Sequence, residues 1–388
     1  MTQRSGYDIA VIGAGMAGVS AAAELSAVAR VVLIEGESQP GYHATGRSAA
    51  ILAQTYGNEV VRALTRASDR FLATPPEGFA DHPLLSPRGL ILMARTDQVD
   101  ALRALYDGLE GAGFLRWLTG AEIETRVPLL RPGYAAGGFL NEEAQDIDVH
   151  AMLQGYLRQF RANGGTLRTG GTVTGLRRAS SVWQISTSSG TVEAATVVNA
   201  AGAWADRVAA MAGGRTLGLR PLRRSALTFR PPEGTDVTAM PMVVDAEEAF
   251  YLKPEAGMLL ASPANETPSD PCDSRPEEIE VATAVDRVLR AFRLDVRRIE
   301  AQWSGLRTFT PDRSPVCGFA DELDGFFWLA GQGGYGIQTA PALARLTAHM
   351  VAGVPKDPDL TATGLDPLRL APNRFQTGKT NSAEETAH

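Results

Sequence analysis

The chain has 388 residues, a formal net charge of −7 and 44% hydrophobic residues. The acidic excess disfavours nucleic acid as a partner, and no apolar run reaches the roughly 18 residues that a membrane-spanning helix needs. Two cysteines are too few for a disulfide framework, and the five histidines show no spacing typical of a metal site. Because no signal peptide precedes the first predicted strand, we expect a cytoplasmic protein without a transmembrane segment.

The N-terminal segment predicts a strand, a helix and a second strand in succession. Residues 8–12 form an apolar run that stops at Gly13, and helix-forming residues follow from Met16. A second apolar run over residues 31–34 ends at Glu35. This order is typical of a βαβ unit in a doubly wound sheet.

Three glycines in this unit have the G-x-G-x-x-G spacing of a dinucleotide-binding turn. Gly13 permits a tight turn, Gly15 lets the backbone approach a pyrophosphate, and Gly18 lets the helix pack closely on the sheet. The alternative is a glycine-rich connection that binds nothing, and the motif alone leaves both NAD and FAD open. We expect the helix N-terminus to bind the phosphates of a dinucleotide and the Glu35 carboxylate to bind its ribose. The candidate cofactor-binding residues of this unit are Gly13, Gly15, Met16, Ala17, Gly18 and Glu35.

The middle of the chain predicts a second kind of sheet. Asp148 is a predicted N-cap for an amphipathic helix over residues 149–162. Further elements are predicted as a hairpin at 182–193, strands at 226–229 and 250–252, and a helix at 277–292. The stretch from residue 219 to 309 is therefore expected to form a second domain with an antiparallel sheet.

A second glycine-rich turn lies between a buried strand predicted over residues 326–330 and a helix that begins near Pro341. It directs another helix N-terminus towards the interior, where it would stabilise the negative charge of a reduced flavin. This favours FAD, although a simple tight turn is the alternative. The candidate cofactor-binding residues here are Gly331, Gly333, Gly334, Tyr335, Gly336, Ile337, Gln338 and Thr339.

Four segments together resemble a known family. They are the N-terminal fingerprint, residues 41–50 (GYHATGRSAA), residues 199–204 (NAAGAW) and residues 331–339. On these segments the chain resembles the D-amino acid oxidase superfamily of flavoproteins over nearly its whole length. Residues 82–88 and 250–254, together with the second glycine turn, are most similar to the D-arginine dehydrogenase type.

The resemblance implies an α/β FAD-binding domain, with a Rossmann-like βαβ unit in a mixed sheet, and a second α+β substrate domain built on an antiparallel sheet. The FAD-binding domain is expected in three parts, residues 1–85, 146–217 and 310–372. The substrate domain is expected in two parts, residues 86–145 and 218–309, and residues 373–388 are expected to form a disordered tail.

The resemblance also implies that FAD is bound noncovalently. The further positions that match the family's flavin-binding residues are His43, Thr45, Gly46, Arg47, Ser48, Ala49, Val173, Ala201, Gly202 and Trp204.

Five residues match the family's substrate-binding positions. Arg224 and Arg307 resemble its carboxylate clamp. Tyr251 and Tyr56 resemble the hydroxyl partners of that clamp, and the Gly334 carbonyl would accept from the substrate amine. Arginine suits this role because its guanidinium matches a carboxylate with two parallel hydrogen bonds. The alternative for each arginine is an ion pair with a protein carboxylate or a position at the surface.

The predicted side-chain pocket departs from the D-arginine dehydrogenase pattern. Where a glutamate facing a cationic side chain would be expected, this chain has Leu90, and Ile51 and Ala53 are apolar where polar or aromatic groups would be expected. An apolar pocket leaves a guanidinium without a partner. We therefore expect D-amino acids with apolar side chains to be preferred over D-arginine. Residues 46–57, which include Tyr56, are expected to form a lid-like loop.

The expected reaction is oxidative deamination, in which a D-amino acid gives an imine that hydrolyses to a 2-oxo acid and ammonia. No histidine or carboxylate stands out as a general base, so we expect the substrate amine to react as the free base. Oxygen and a quinone-type carrier are both open as the electron acceptor. The alternatives are oxidation of secondary amines or 2-hydroxy acids, and a non-catalytic FAD-binding role in assembly or electron transfer.

Overall fold

A computed structural model describes residues 6–109 and 113–375 of the chain. The α-helices are α1 Met16–Ser26, α2 Glu59–Ala73, α3 Val99–Gly108, α4 Gly120–Arg126, α5 Val149–Ala162, α6 Ala205–Met211, α7 Glu278–Ala291, α8 Ala340–Ala352 and α9 Pro358–Ala362. Short 3₁₀ helices cover Gly202–Trp204, Pro367–Leu370 and Pro372–Phe375.

The strands of the first half are β1 Tyr7–Ile12, β2 Val31–Ile34, β3 Ile51–Leu52, β4 Leu85–Pro87, β5 Leu90–Ala94, β6 Leu115–Thr119, β7 Gly137–Asn141, β8 Gln145–Ile147, β9 Thr166–Arg168, β10 Val173–Ala179, β11 Val182–Thr187 and β12 Gly190–Asn199. Those of the second half are β13 Arg220–Phe229, β14 Met242–Asp245, β15 Tyr251–Glu255, β16 Met258–Ser262, β17 Thr267–Pro268, β18 Ala301–Phe309, β19 Val316–Phe319 and β20 Phe326–Ala330.

The first sheet is mixed and has β1 in its interior. Its order is β10-β11-β12-β1-β2-β9, with β20 paired to the end of β12 and β19 beside β20. β1 pairs in parallel with β2 and β12, whereas β10, β11 and β12 form an antiparallel meander. The helix α1, which joins β1 to β2, packs against α5 and α8. This confirms the predicted mixed sheet with a Rossmann-like βαβ unit.

The second sheet is mostly antiparallel. Its order is β17-β13-β16-β15-β14-β5-β7-β6, with β18 on β13. Within it, the pairing of β14 with β5 is parallel and the other described pairings are antiparallel. The helix α7 packs on β13 and β16. The two sheets confirm the expected fold class, while the boundaries between the two domains stay a prediction.

Local sequence signals determine where some elements begin and end. The helix α5 has the predicted bounds, because the Asp148 Oδ1 accepts a hydrogen bond from the Ala151 N at 2.8 Å and Gly164 turns the chain with φ +81°.

Strand β13, however, begins well before the predicted start at residue 226. Its early part contains Arg224, whose charge interrupts the apolar pattern that the strand prediction needs.

The segment predicted as a lid-like loop, residues 46–57, contains a short strand. β3 pairs with β8 in a small sheet of order β3-β8-β4. The Ala53 N donates to the Gln338 Oε1 at 3.2 Å, and the Tyr56 N donates to the Ala53 O at 3.1 Å. The segment is thus held near its middle, and its movement as a lid stays a prediction.

The predicted tail begins at Asn373, but residues 373–375 lie in the last 3₁₀ helix. Arg374 donates from Nε to the Asp312 Oδ2 at 2.8 Å and from Nη2 to the Ser314 O at 2.8 Å. These bonds fasten the turn to the connection between β18 and β19. The rest of the predicted tail, residues 376–388, lies outside the described residues.

Candidate cofactor and substrate site

A cavity of about 570 Å³ opens between the two sheets. The predicted substrate-binding residues Arg224, Tyr251, Arg307 and Gly334 line it. So do many of the predicted cofactor-binding residues, namely Gly13, Gly15, Met16, Ala17, Glu35, His43, Thr45, Arg47, Ser48, Ala49, Val173, Ala201, Gly202, Trp204, Gly333, Gly336 and Ile337. The predicted residues that lie off the cavity wall are Tyr56, Leu90, Ile51, Ala53, Gly18, Gly46, Gly331, Tyr335, Gln338 and Thr339.

The turn between β1 and α1 forms a cradle of backbone atoms. Gly13 has φ +98°, and a Cβ there would lie 2.5 Å from the Ala200 carbonyl oxygen. A Cβ at Gly18 would lie 1.8 Å from the Gly13 carbonyl oxygen, so Gly18 acts through helix packing behind the cavity wall. The helix begins after Gly15, which offers no side-chain cap. The turn therefore presents a helix N-terminus to the cavity, which suits a phosphate.

The carboxylate of Glu35 stands at the end of β2 on the cavity wall. It accepts hydrogen bonds from the Ala14 N at 2.7 Å and from the Glu37 N at 2.9 Å. The His43 Nε2 lies 2.9 Å from the Glu37 Oε1, and its ring packs against Trp204 with centroids 4.7 Å apart. A carboxylate has further acceptor positions, so Glu35 is held in place and can still accept from a ribose hydroxyl.

The second glycine turn packs directly on β18. Gly333 has φ +53°, and a Cβ there would lie 2.1 Å from the Phe309 ring. A Cβ at Gly334 would lie 2.9 Å from the Arg307 Nη1, so the turn approaches this guanidinium with its backbone. The Gly333 N also donates to the Thr308 O at 2.8 Å. The turn therefore joins the cofactor side of the cavity to the predicted carboxylate clamp.

Residues at the start of α8 use their side chains to hold the fold. The Gln338 Oε1 accepts from the Ala53 N at 3.2 Å, and its Nε2 donates to the Thr65 Oγ1 at 3.0 Å. The Thr339 Oγ1 donates to the Tyr335 O at 2.8 Å. The side chains of Gln338 and Thr339 are therefore engaged within the protein, and contact of these residues with FAD stays a prediction.

Arg47 anchors the predicted loop to the second sheet. Its Nη1 donates to the carbonyl oxygens of Ser274 at 2.8 Å and Ser304 at 2.9 Å, and its Nη2 pairs with Asp273. The Trp303 Nε1 donates to the Arg47 O at 3.0 Å. The positive charge of Arg47 is matched within the protein, although the residue lines the cavity.

Arg307 presents a charged group without a protein counter-ion. Its Nη1 donates to the Tyr56 hydroxyl at 3.2 Å, and no carboxylate among the described residues forms an ion pair with it. Burial lowers the pKa of this guanidinium, but Tyr56 and Tyr251, followed by the Glu248 carboxylate, outweigh burial and raise the pKa above its usual value. A partly buried cation without an anion is costly. Because Arg307 faces the cavity, the structure favours an anionic ligand there.

Arg224 lies on the same wall and is 7% exposed. Its Nε donates to the Asn265 O at 2.8 Å, and its Nη2 lies 3.3 Å from the Glu266 Oε1. Glu266 is shared with Arg313, whose Nη2 lies 2.8 Å away. Burial, and then the charge of Arg307, lowers the pKa of Arg224. The sequence left open that each arginine pairs with a protein carboxylate instead of a ligand. Among the described residues this alternative holds in part for Arg224, which pairs with Glu266, and does not hold for Arg307.

The three predicted pocket residues Leu90, Ile51 and Ala53 lie behind the cavity wall. They belong to an apolar cluster with Tyr251 and Tyr56, in which Leu90 is 6% and Ala53 is 2% exposed. Of these residues, Tyr251 lines the cavity. Leu90, Ile51 and Ala53 therefore support the wall through packing, and their direct contact with a substrate side chain stays a prediction.

Two side chains outside the predicted set support the fit of FAD. The Thr308 Oγ1 and the Gln332 Nε2 are buried and have no hydrogen-bond partner among the described residues, and both residues line the cavity. Together with the backbone cradle at Gly13 and the carboxylate of Glu35, they suit a ligand that has phosphates, a ribose and a polar ring. The available sequence signals were weak: Thr308 follows Arg307, a predicted clamp residue, and Gln332 interrupts a run of glycines.

Neither a membrane-spanning helix nor a metal site is found in the part of the chain that the structure describes. No helix there is long and apolar enough to cross a bilayer. No three side chains of histidine, cysteine, aspartate or glutamate there are grouped so as to hold a metal ion. Burial raises the pKa of the Cys317 thiol to about 12, whereas Cys272 is exposed at the cavity wall.

Known proteins with similar sequences and structures include amine oxidases. A glycine oxidase from Geobacillus kaustophilus (strain HTA426) is 27% identical over 364 residues, which cover 90% of this chain and 94% of that protein. A crystal structure of glycine oxidase from Geobacillus kaustophilus superposes with a TM-score of 0.79 and covers 89% of this chain and 95% of that chain. An L-proline dehydrogenase from P. horikoshii, 22% identical, shares the fold with a TM-score of 0.79 and covers 96% of this chain and 99% of that chain.

A relative with another type of substrate matches a smaller part of the chain. An L-2-hydroxyglutarate dehydrogenase from Escherichia coli (strain K12) is 28% identical over 218 residues, which cover 53% of this chain and 50% of that protein. The family model for FAD dependent oxidoreductase (DAO) matches residues 8–350. The cradle, the cavity and these similarities agree, and the chain belongs to the DAO family of FAD-dependent oxidoreductases.

Proposed function

We propose that the protein oxidises the α-amine of D-amino acids with apolar side chains. The substrate loses a hydride from Cα and a proton from nitrogen, and water converts the resulting imine to a 2-oxo acid and ammonia. Bound FAD supplies the two-electron acceptor for this oxidation. The choice of a D-amino acid follows the similarity of residues 82–88 and 250–254 to the D-arginine dehydrogenase type.

The observation that carries the proposal is the Arg307 guanidinium, which faces the cavity without a protein carboxylate. A substrate carboxylate would supply the missing anion through charged hydrogen bonds. Arg224 and Tyr251 line the same cavity and would complete the clamp. Holding the carboxylate at several points fixes the position of Cα, so that binding energy is used for orientation.

The substrate amine would be held by the Gly334 carbonyl. Gly334 lines the cavity and packs against the Arg307 guanidinium, so its main chain lies beside the clamp. The described carboxylates and histidine of the cavity wall, Glu35, Glu37 and His43, cluster instead at the end of β2. Glu266 is already engaged by Arg224 and Arg313 and does not line the cavity. With no carboxylate or histidine of the cavity wall beside the clamp, the amine would have to arrive in its uncharged form.

The apolar cluster behind Tyr251 supports a substrate with an apolar side chain. Leu90 occupies the position where the D-arginine dehydrogenase type would be expected to have a glutamate, and it is buried in that cluster. A guanidinium placed against this cluster would lose its hydration without gaining a counter-ion. D-leucine, D-methionine and D-phenylalanine should therefore be better substrates than D-arginine.

A second candidate function is oxidation of glycine or another small amine. Leu90 and Ala53 are buried behind the cavity wall and do not line it, and a substrate without a side chain needs no contact with them. The glycine oxidase similarity over 90% of the chain agrees with this reading. D-leucine and glycine are therefore the two substrates to compare first.

Product analysis distinguishes the candidates. The holoenzyme is incubated with D-leucine, L-leucine, glycine or D-2-hydroxy-4-methylpentanoate, with oxygen or a soluble quinone as acceptor. We expect equal amounts of 4-methyl-2-oxopentanoate and ammonia from D-leucine and little product from L-leucine. Product mainly from glycine would select the second candidate, and 2-oxo acid only from the hydroxy acid would contradict both. No product from any compound would indicate a non-catalytic flavoprotein.

A further inference from the structure

Two polar groups on the cavity wall have no partner in the described part of the protein. They are the Thr308 Oγ1 and the Gln332 Nε2, both of which are buried. Thr308 is 6% exposed, and both residues line the cavity. Buried polar groups are nearly always hydrogen-bonded, because an unpaired one costs free energy. The missing partners are therefore expected to come from a molecule bound in the cavity.

The two residues come from neighbouring backbone segments. The Gly333 N donates to the Thr308 O at 2.8 Å, and Gln332 forms an antiparallel bridge with Phe309. Arg307, the residue before Thr308, lines the same cavity. The backbone cradle that suits a phosphate is built by a different element, the turn between β1 and α1. The unpaired groups thus belong to the clamp side of the cavity.

The chemistry of the two groups selects the kind of partner. An amide nitrogen donates hydrogen bonds, and a threonine hydroxyl both donates and accepts. The pyrimidine edge of a flavin ring carries two carbonyl oxygens and an N–H group, which match this pair. A substrate carboxylate would also accept, but the guanidiniums of Arg307 and Arg224 already provide charged donors for it.

We propose that Thr308 and Gln332 hydrogen-bond the pyrimidine edge of the flavin ring. This inference rests on FAD as the cofactor and is independent of which substrate is oxidised. A donor at a flavin carbonyl stabilises the negative charge that the ring gains on reduction. Gln332 therefore increases both the affinity for FAD and the ease with which the bound flavin is reduced.

The test uses Thr308→Val and Gln332→Met, which approximately keep side-chain volume and remove the polar group. Thr308→Ser keeps a hydroxyl and is the matched control. Thr347→Val removes a buried hydroxyl from α8, where the Oγ1 donates to the Leu343 O at 2.8 Å. Calorimetry gives the affinity of each apoprotein for FAD and for ADP, which lacks the flavin. The thermal stability of the apoproteins and the reduction potential of the holoproteins are measured alongside.

Thr308→Val and Gln332→Met should each weaken FAD binding by roughly threefold to tenfold, the effect of losing one hydrogen bond. ADP binding should not change, and Gln332→Met should shift the flavin reduction potential to more negative values. The thermal stability of the Thr308→Val apoprotein should not fall, because an unpaired polar group is removed. Thr308→Ser and Thr347→Val should bind FAD as tightly as the parent protein.

Three results would overturn the proposal. Equal losses of FAD and ADP affinity would place the two groups on the nucleotide half of the cofactor. Unchanged FAD affinity in either variant would remove that residue from the flavin site. Weaker binding of 4-methylpentanoate, the analogue of leucine without its amine, at unchanged FAD affinity would assign the pair to the substrate. These measurements need no turnover, so an incorrect choice of substrate would not affect them.

Discussion

The Arg307 Nη1 donates a hydrogen bond to the Tyr56 hydroxyl at 3.2 Å. This bond joins β18 of the second sheet to residues 46–57, the segment predicted as a lid-like loop. Tyr56 also packs edge-on against Tyr335, with ring centroids 4.8 Å apart. A change at Tyr56 should therefore reach the guanidinium that we propose binds the substrate carboxylate.

Replacement of Tyr56 by Phe should raise KM for the amino acid by roughly tenfold or more, because a hydrogen bond to a charged group typically contributes about 1.5–3 kcal/mol. FAD affinity should stay the same, since Tyr56 lies off the cavity wall. Steady-state kinetics and an FAD titration check the two parts. Tyr106→Phe, in α3, is the matched control. An unchanged KM in Tyr56→Phe would show that this bond does not support substrate binding.

Replacement of Arg307 by Lys keeps the charge but loses the planar fork that matches a carboxylate. We expect KM for the amino acid, and the Kd for 4-methylpentanoate, to rise roughly 10- to 100-fold, corresponding to about 1.4–2.8 kcal/mol. Arg298→Lys, at a side chain that is 79% exposed, serves as the control. Equal affinity for the carboxylate in Arg307→Lys and the parent protein would remove Arg307 from the clamp.

Gly334→Ala would add a Cβ 2.9 Å from the Arg307 Nη1. The guanidinium would have to move, so we expect at least a tenfold loss in kcat/KM while the flavin remains bound. The control is Gly108→Ala at the end of α3, where a Cβ would meet no atom within 4 Å. Flavin absorbance and initial rates are the measurements. Normal kcat/KM in Gly334→Ala would mean that the contact is not used in substrate binding.

The pH dependence of kcat/KM should follow the substrate amine. Burial raises the pKa of Tyr335 to about 12, so this hydroxyl stays protonated at pH 10. The raised pKa of Arg307 likewise keeps the guanidinium charged. We expect kcat/KM to rise with pH through one ionisation and then level off. Two D-amino acids with different amine pKa values should give midpoints that differ accordingly, and a fixed midpoint would indicate a protein base.

Elements with strong local signals could be predicted from the sequence. The βαβ unit followed from two apolar runs around Gly13, and α5 followed from the Asp148 cap, because both signals act over a few residues. Clamp candidates such as Arg307 came from the family resemblance, and the structure places Arg307, Arg224 and Tyr251 around one cavity.

Side-chain partners that are distant in sequence could not be predicted. Nothing near Arg224 in the sequence indicates that Glu266 pairs with it, because the contact depends on how β13 meets the segment after β16. Gln338 belongs to the glycine-turn motif, yet the packing of α8 directs its amide to Thr65. Burial without a partner, as at the Thr308 Oγ1, is likewise visible only once the tertiary structure is known.

The most direct test of amino acid oxidation is anaerobic mixing of the yellow holoenzyme with single substrates while the flavin absorbance is recorded. We expect D-leucine, D-methionine and D-phenylalanine to bleach the flavin rapidly, and D-arginine and L-leucine to bleach it slowly. Arg307→Lys should need a much higher D-leucine concentration for the same rate. Bleaching by a 2-hydroxy acid but by no amine, or faster bleaching by D-arginine than by D-leucine, would contradict the proposed function.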